Sequence, residues 1–209
     1  MNTLLALVLA SSPAHADTVK EVPGLGSPGA RIVVMAPLVA VEVVCSGGDK
    51  AKATLSGAPP TLKLEGKPEG NGAEFSVSGT GSGSLKVELP ADVKLEVKGL
   101  DKTVKVRECQ GTVGIRGSME SFDLNVPKAD ITIKVDKGGL TKPSVVTASN
   151  SISMTMPDIS AKITGNSISM TMPDIAPYQG KEPKNLTVVL GAGAPDVNLK
   201  AAQSIVVTN

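Results

Sequence analysis

Aromatic residues are almost missing from this chain: among 209 residues there is no Trp, one Tyr (Tyr178) and two Phe (Phe75 and Phe122). Histidine occurs once, at His15, and cysteine twice, at Cys45 and Cys109. Neither sign of charge dominates, with 21 Lys and Arg against 20 Asp and Glu for a net charge of +1. Each scarcity removes a class of function. A near-neutral chain without stacking rings makes a poor nucleic-acid binder, which needs a basic face or aromatic platforms. The single histidine lies in a segment read below as cleaved, so a Ser-His-Asp triad and a histidine-ligated metal are excluded. No stretch approaches the roughly 18 to 20 apolar residues of a membrane helix. No nucleophile-elbow, S-x-x-K or phosphate-loop motif occurs.

What is present is a globular composition, 41% hydrophobic and 20% charged, with 22 Gly and 15 Pro. Leu4–Ala10 is an apolar run, followed by Ser11, Ser12, Pro13 and the small-x-small triplet Ala14-His15-Ala16. This pattern predicts a secretory signal peptide over residues 1–16, cut after Ala16, and hence an exported protein, periplasmic or secreted. Residues 17–30, rich in Gly and Pro, read as a flexible leader. Gly24-x-Gly26-x-x-Gly29 nominally matches a dinucleotide fingerprint but precedes a strand-like run instead of opening a helix, so no cofactor is assigned.

From Arg31 onward the hydrophobic period is two. Val39, Val41, Val43 and Cys45 alternate with Ala40, Glu42 and Val44, and the same holds for Leu85/Val87/Leu89, Val93/Leu95/Val97, Val113/Ile115, Phe122/Leu124/Val126 and Ile131/Ile133/Val135. No window has a period of 3.6, so the chain is predicted all-β with almost no helix. Residues 31–84 form an N-terminal β region acting as a cap, and residues 85–209 a stack of short coils.

One feature sets the architecture. Asn150–Ile159 and Asn166–Ile175 both read NSISMTMPDI, sixteen residues apart. A short fixed period is the signature of a solenoid. A meandering sandwich also places short strands at such spacing, but the identical repeat favours stacked coils. In register, Met154 stacks on Met170 and Met156 on Met172 in a greasy interior, and Asn150 on Asn166 in an amide ladder. Asp158 and Asp174 become neighbours one coil apart, a pair that could hold a hard cation but that reads more simply as ordinary turn residues after proline. The strand Ser204–Thr208 carries no capping segment after it, so the last coil is expected to be an open edge able to pair with a second chain.

The run Val87–Val97 (VELPADVKLEV), the glycines Gly111, Gly114 and Gly117 read as turns, and Leu190–Lys200 leading into Ser204–Thr208 resemble the bacterial adhesin-like β-solenoid domains of unknown function, related to the auto-transporter adhesin head domain. The resemblance spans residues 31–209. It implies a right-handed parallel β-helix-like fold on an exported bacterial protein and brings no catalytic residues with it. Members of that family place Gly or Asp where Asn150 and Asn166 sit.

Cys45 and Cys109, 64 residues apart, form either a disulfide in an oxidising compartment or two separate thiols, with Cys45 buried beside Val41 and Val43. The functional expectation is a non-enzymatic structural or interaction protein of the cell envelope. It would display outward residues such as Lys94, Glu96, Lys98, Lys105 and Arg107 to a protein or glycan partner. The alternative is a carbohydrate-active β-helix enzyme, a polysaccharide lyase or hydrolase, which the shortage of sugar-stacking aromatics disfavours. No catalytic, cofactor or metal residue is assigned.

Overall fold

A computed structural model describes residues 16–126, 128–136, 140–148 and 151–155, and beyond them the backbone of the segments 162–165, 168–172, 175–178, 186–189, 196–200 and 204–208. Residues 1–15, which make up most of the segment expected to be a signal peptide, and Asn150, Met156, Asp158, Asn166 and Asp174 lie outside the described residues.

The described chain is all-β and without helix. Its first part contains β1 (Thr18–Val22), β2 (Ala30–Met35), β3 (Val39–Cys45), β4 (Ala51–Ser56), β5 (Lys63–Glu69), β6 (Gly72–Ser78) and β7 (Gly83–Leu89). The middle contains β8 (Asp92–Leu100), β9 (Thr103–Arg107), β10 (Gln110–Gly117), β11 (Ser121–Val126), β12 (Lys128–Val135), β13 (Ser144–Ala148) and β14 (Ser151–Thr155). The last part contains β15 (Lys162–Gly165), β16 (Ile168–Met172), β17 (Ile175–Tyr178), β18 (Leu186–Val189), β19 (Asp196–Lys200) and β20 (Ser204–Thr208).

These strands form two mixed sheets. The first runs β1-β4-β7-β3-β9-β11-β13-β19-β15-β18, the second β17-β16-β20-β14-β12-β10-β8-β2-β6-β5. From β7 to β16 successive strands fall in alternate sheets, and every ladder joining β2, β8, β10, β12 and β14 or β3, β9, β11 and β13 is parallel. Antiparallel pairing is confined to the ends: β1–β4, β4–β7 and β5–β6 at one, β15–β18 and β16–β17 at the other. The all-parallel expectation is corrected there. Where the paired strands are consecutive, as β5–β6 and β16–β17 are, two residues suffice to join them antiparallel, so the chain can turn back on itself at either end.

Period-two alternation explains the core. In β12 the residues alternate strictly, with Ala129, Ile131, Ile133 and Val135 buried and Lys128, Asp130, Thr132 and Lys134 exposed. Because parallel strands keep phase, inward residues align into rows across the sheet. One row is Phe75–Val34–Val97–Ile115–Ile133–Met154, continued at the backbone level by Val207 and Met170. The facing sheet has Ala53–Val87–Val43–Val106–Leu124–Val146. Both belong to one continuous core. Burying each Val, Leu or Ile contributes about 1.5–3 kcal/mol, so the rows are the main source of stability.

Several expectations change. Met154 and Met170 share a row but are not adjacent rungs: β20 lies between β14 and β16, and both methionine positions register with Val207. Met172 lies in β16, opposite Ile175 of β17. The repeat fixes inward–outward phase, and any strand of the same phase can slip between its two copies. For the same reason Ser204–Thr208 is no open edge. Its backbone pairs with β14 on one side and β16 on the other, so self-association through that strand is withdrawn. The stretch expected as a flexible leader contains β1, paired along its whole length with β4, and buries Leu25. The division at residues 84 and 85 falls inside β7, and β2 and β3 lie farther into the two sheets, while β1, β4, β5 and β6 occupy the end where a cap was placed.

Candidate functional site

The parallel strands β2, β8, β10 and β12 turn one face outward, and their fixed register arranges it as a grid. One row reads Arg31–Lys94–Thr112–Asp130, the next Glu96–Gly114–Thr132, the third Lys98–Arg116–Lys134. Strand spacing near 4.8 Å and a rise near 3.3 Å per residue make this patch roughly 14 Å by 13 Å. A trough of about 450 Å³ runs over it. Five cations and two carboxylates line it.

Gly114 forms the floor. It lies inside β10, not in a turn, as do Gly111 and the last residue of the strand, Gly117. Gly111 answers to the backbone: its φ is 92° and a Cβ would sit 2.7 Å from the Val93 carbonyl oxygen. Gly114 does not. Its backbone is ordinary, and a Cβ there would touch the Leu95 oxygen at 3.6 Å and Glu96 Cγ at 3.9 Å, normal contact distances. A glycine in a strand interior costs about 0.5–1 kcal/mol against alanine, and nothing in the packing requires it here.

The charges are only partly neutralised. Glu96 accepts from Lys98 Nζ at 2.5 Å and from Arg31 Nη2 at 3.2 Å. The Lys98 ammonium above all, with Arg31 behind it, holds the Glu96 carboxyl below the usual carboxylate range. Arg116 reaches Asp136 only at 3.9 Å, and Lys94 and Lys134 form no ion pair among the described residues. The trough therefore carries surplus positive charge in a chain that is nearly neutral overall.

The opposite sheet has a second hollow, of about 490 Å³, over Ala40, Glu42, Ser84, Lys86 and Lys105. There the signs alternate: Glu42 lies between Lys86 and Lys105 in register. Beside it Arg107 Nη1 donates to Asp123 Oδ1 and to the Asp123 carbonyl oxygen, each at 2.9 Å, while Nη2 donates to Oδ2. This fork holds the Asp123 carboxyl below its ordinary value and raises Arg107. A lowered carboxyl adds stability that is complete above the ordinary carboxylate range and is lost as pH falls through the lowered value. Both side chains reach solvent, so the contribution is no more than about 1 kcal/mol. Asp123→Asn is expected to be less stable than the parent near neutral pH and equal to it in strong acid, checked by thermal unfolding across pH. Equal midpoints at neutral pH would remove the ion pair from the account.

Cys45 and Cys109 form a disulfide, S–S 1.99 Å, joining the end of β3 to the turn after β9. Among the described residues no three His, Cys, Asp or Glu side chains cluster as metal ligands, and no helix is long and apolar enough to cross a membrane. Of the outward residues named from sequence, Lys94, Glu96 and Lys98 fall in the trough and Lys105 and Arg107 on the other sheet. Arg31, Gly114, Arg116 and Lys134 were missed. Each has the outward phase, but their meeting depends on which strands are neighbours, and alternation does not encode that.

No family model and no curated protein matches the chain. Among solved structures, it aligns with a "putative cell adhesion protein" from Clostridium sporogenes at 10% identity, covering 92% of this chain and 98% of that one, with a TM-score of 0.35. It aligns also with a "putative adhesin" from Bacteroides fragilis at 9% identity, covering 94% and 98%, with a TM-score of 0.24. Overlaps this loose define neither a shared fold nor a shared function.

Proposed function

We propose that the protein is an exported, non-enzymatic interaction scaffold: an adhesin-like β-solenoid whose stacked rungs hold a charged recognition face rigid. The observation that carries this reading is the grid around Gly114, where five cations outnumber two carboxylates on central parallel strands instead of loops. Side chains on paired strands are positioned by the whole sheet, so the face is preorganised for binding. The alternation of strands between the sheets, with parallel ladders, supports a winding chain, and the strong handedness of parallel crossovers supports a right-handed one.

The Cys45–Cys109 bond supports an oxidising compartment, in keeping with the signal-like segment 1–16. Against a glycosidase, an acid catalyst at neutral pH needs a carboxyl kept protonated, whereas Lys98 and Arg31 push Glu96, beside Gly114, the other way. Production in a bacterial host tests the reading. The expected product is exported, begins at Asp17 by mass spectrometry, contains no free thiol, and releases no new ends from a panel of polysaccharides. Retention of the chain in the cytoplasm with residues 1–16 intact would refute export, and polysaccharide turnover would refute the non-enzymatic assignment.

A further inference from the structure

We propose that the trough over Gly114 seats a linear acidic polysaccharide, one bearing carboxylates along its length; the inference rests on the interaction-scaffold reading above. Three observations converge on that ligand. The first is charge: Lys98, Arg116 and Lys134 stand in one row on adjacent strands, with Arg31 and Lys94 along the opposite side. Cations at strand spacing, near 4.8 Å, suit a polymer that presents one anion per sugar ring. The second is Gly114, a strand-interior glycine that neither its backbone angles nor its neighbours demand. Strand-interior glycines occur at bulges, at bends and where a ligand approaches closely; Gly114 pairs in unbroken register with Glu96 and Thr132, which favours close approach. The missing side chain leaves room for a ring to descend beside Glu96, between the Lys98–Arg116–Lys134 row and the Arg31–Lys94 pair, with Thr112 and Thr132 exposed next to it.

The third observation is position. The trough lies mid-sheet, where backbone N–H and C=O groups of β8, β10 and β12 are already paired on both sides. A peptide that binds a sheet by strand addition needs an open edge, which this surface lacks. Its lining has no aromatic ring for a nucleobase to stack on. What remains is recognition by side-chain cations and hydroxyls, matching the carboxylates and hydroxyls that an acidic glycan carries.

The test uses the whole exported chain with polygalacturonate as probe, and neutral dextran and poly-glutamate of similar length as controls. Binding is expected for polygalacturonate, weakening as salt is raised, and at least tenfold weaker for either control. Gly114→Val fills the floor with a residue that favours strands. It is expected to weaken polygalacturonate binding at least tenfold while the thermal midpoint holds or rises. Lys98→Gln with Lys134→Gln is expected to weaken it similarly without loss of fold. Undiminished binding by Gly114→Val, equal binding of poly-glutamate, or no binding by the parent chain would each overturn the proposal. Each incubation is also assayed for new chain ends. Their appearance would overturn the non-enzymatic reading itself, whereas failure to bind without cleavage overturns only the assignment of the trough.

Discussion

Replacing Cys45 and Cys109 together by serine is expected to lower the unfolding free energy by about 4 kcal/mol. The bond closes a separation of 64 residues, and a cross-link over a loop of that size restricts the unfolded chain far more than the folded one. In a domain of this size such a loss corresponds to a fall of roughly 10 °C in the thermal midpoint. The location adds to the argument. β3 and β9 are already neighbours in the first sheet, so the bond joins segments that the fold brings together anyway, while everything from β4 to β8 lies within the closed loop. Thermal unfolding of the oxidised parent, the reduced parent and the double variant measures the effect. A reduced parent that melts with the oxidised one would show that the bond adds nothing.

Phe75→Ala is expected to cost roughly 3–5 kcal/mol, the range for emptying a buried aromatic site. Phe75 is wholly buried in β6, beside Val34 on one side and Gly66 of β5 on the other. A Cβ on Gly66 would lie 2.9 Å from the ring edge and 3.0 Å from Lys20 Cβ, so the ring fills the space that glycine leaves. Around it the core is built of small, stiff aliphatic side chains that relax little into a void. Denaturant titration with an unchanged slope measures the loss. A cost under about 1 kcal/mol would mean that the site collapses, against the rigid packing described.

These two residues also mark where sequence reading succeeds and where it stops. Phe75 and Val77 announce their inward phase by simple alternation, as do Val113 and Ile115 in β10, because burial on one face of a strand leaves a local trace. Gly66 leaves none: it reads as a break between strands, yet it lies within β5 under the Phe75 ring. Gly114 likewise reads as a turn and lies mid-strand on the trough floor. The order of strands across a sheet is the harder loss. The position of β2 between β6 and β8, and of β20 between β14 and β16, follows from how long-range rows fit together. Every one of these strands carries the same two-residue rhythm, so many orders satisfy the pattern equally well. The cationic trough inherits that ambiguity, because its members come from four strands, with Arg31 on β2 far from the others in sequence.

The interleaved placement of β2 and β20 has a kinetic side. Strands cannot be added to the two sheets in the order in which the ribosome delivers them. The slot for β20 is bounded by β14 and β16, and the ladders around β2 involve β6 and β8, which emerge later. Closing such distant pairs carries a large loop-closure entropy and slows assembly. A nascent chain must therefore wait, incompletely zipped, until β20 arrives, and in that interval its unpaired edges are the surface a holdase would have to shield.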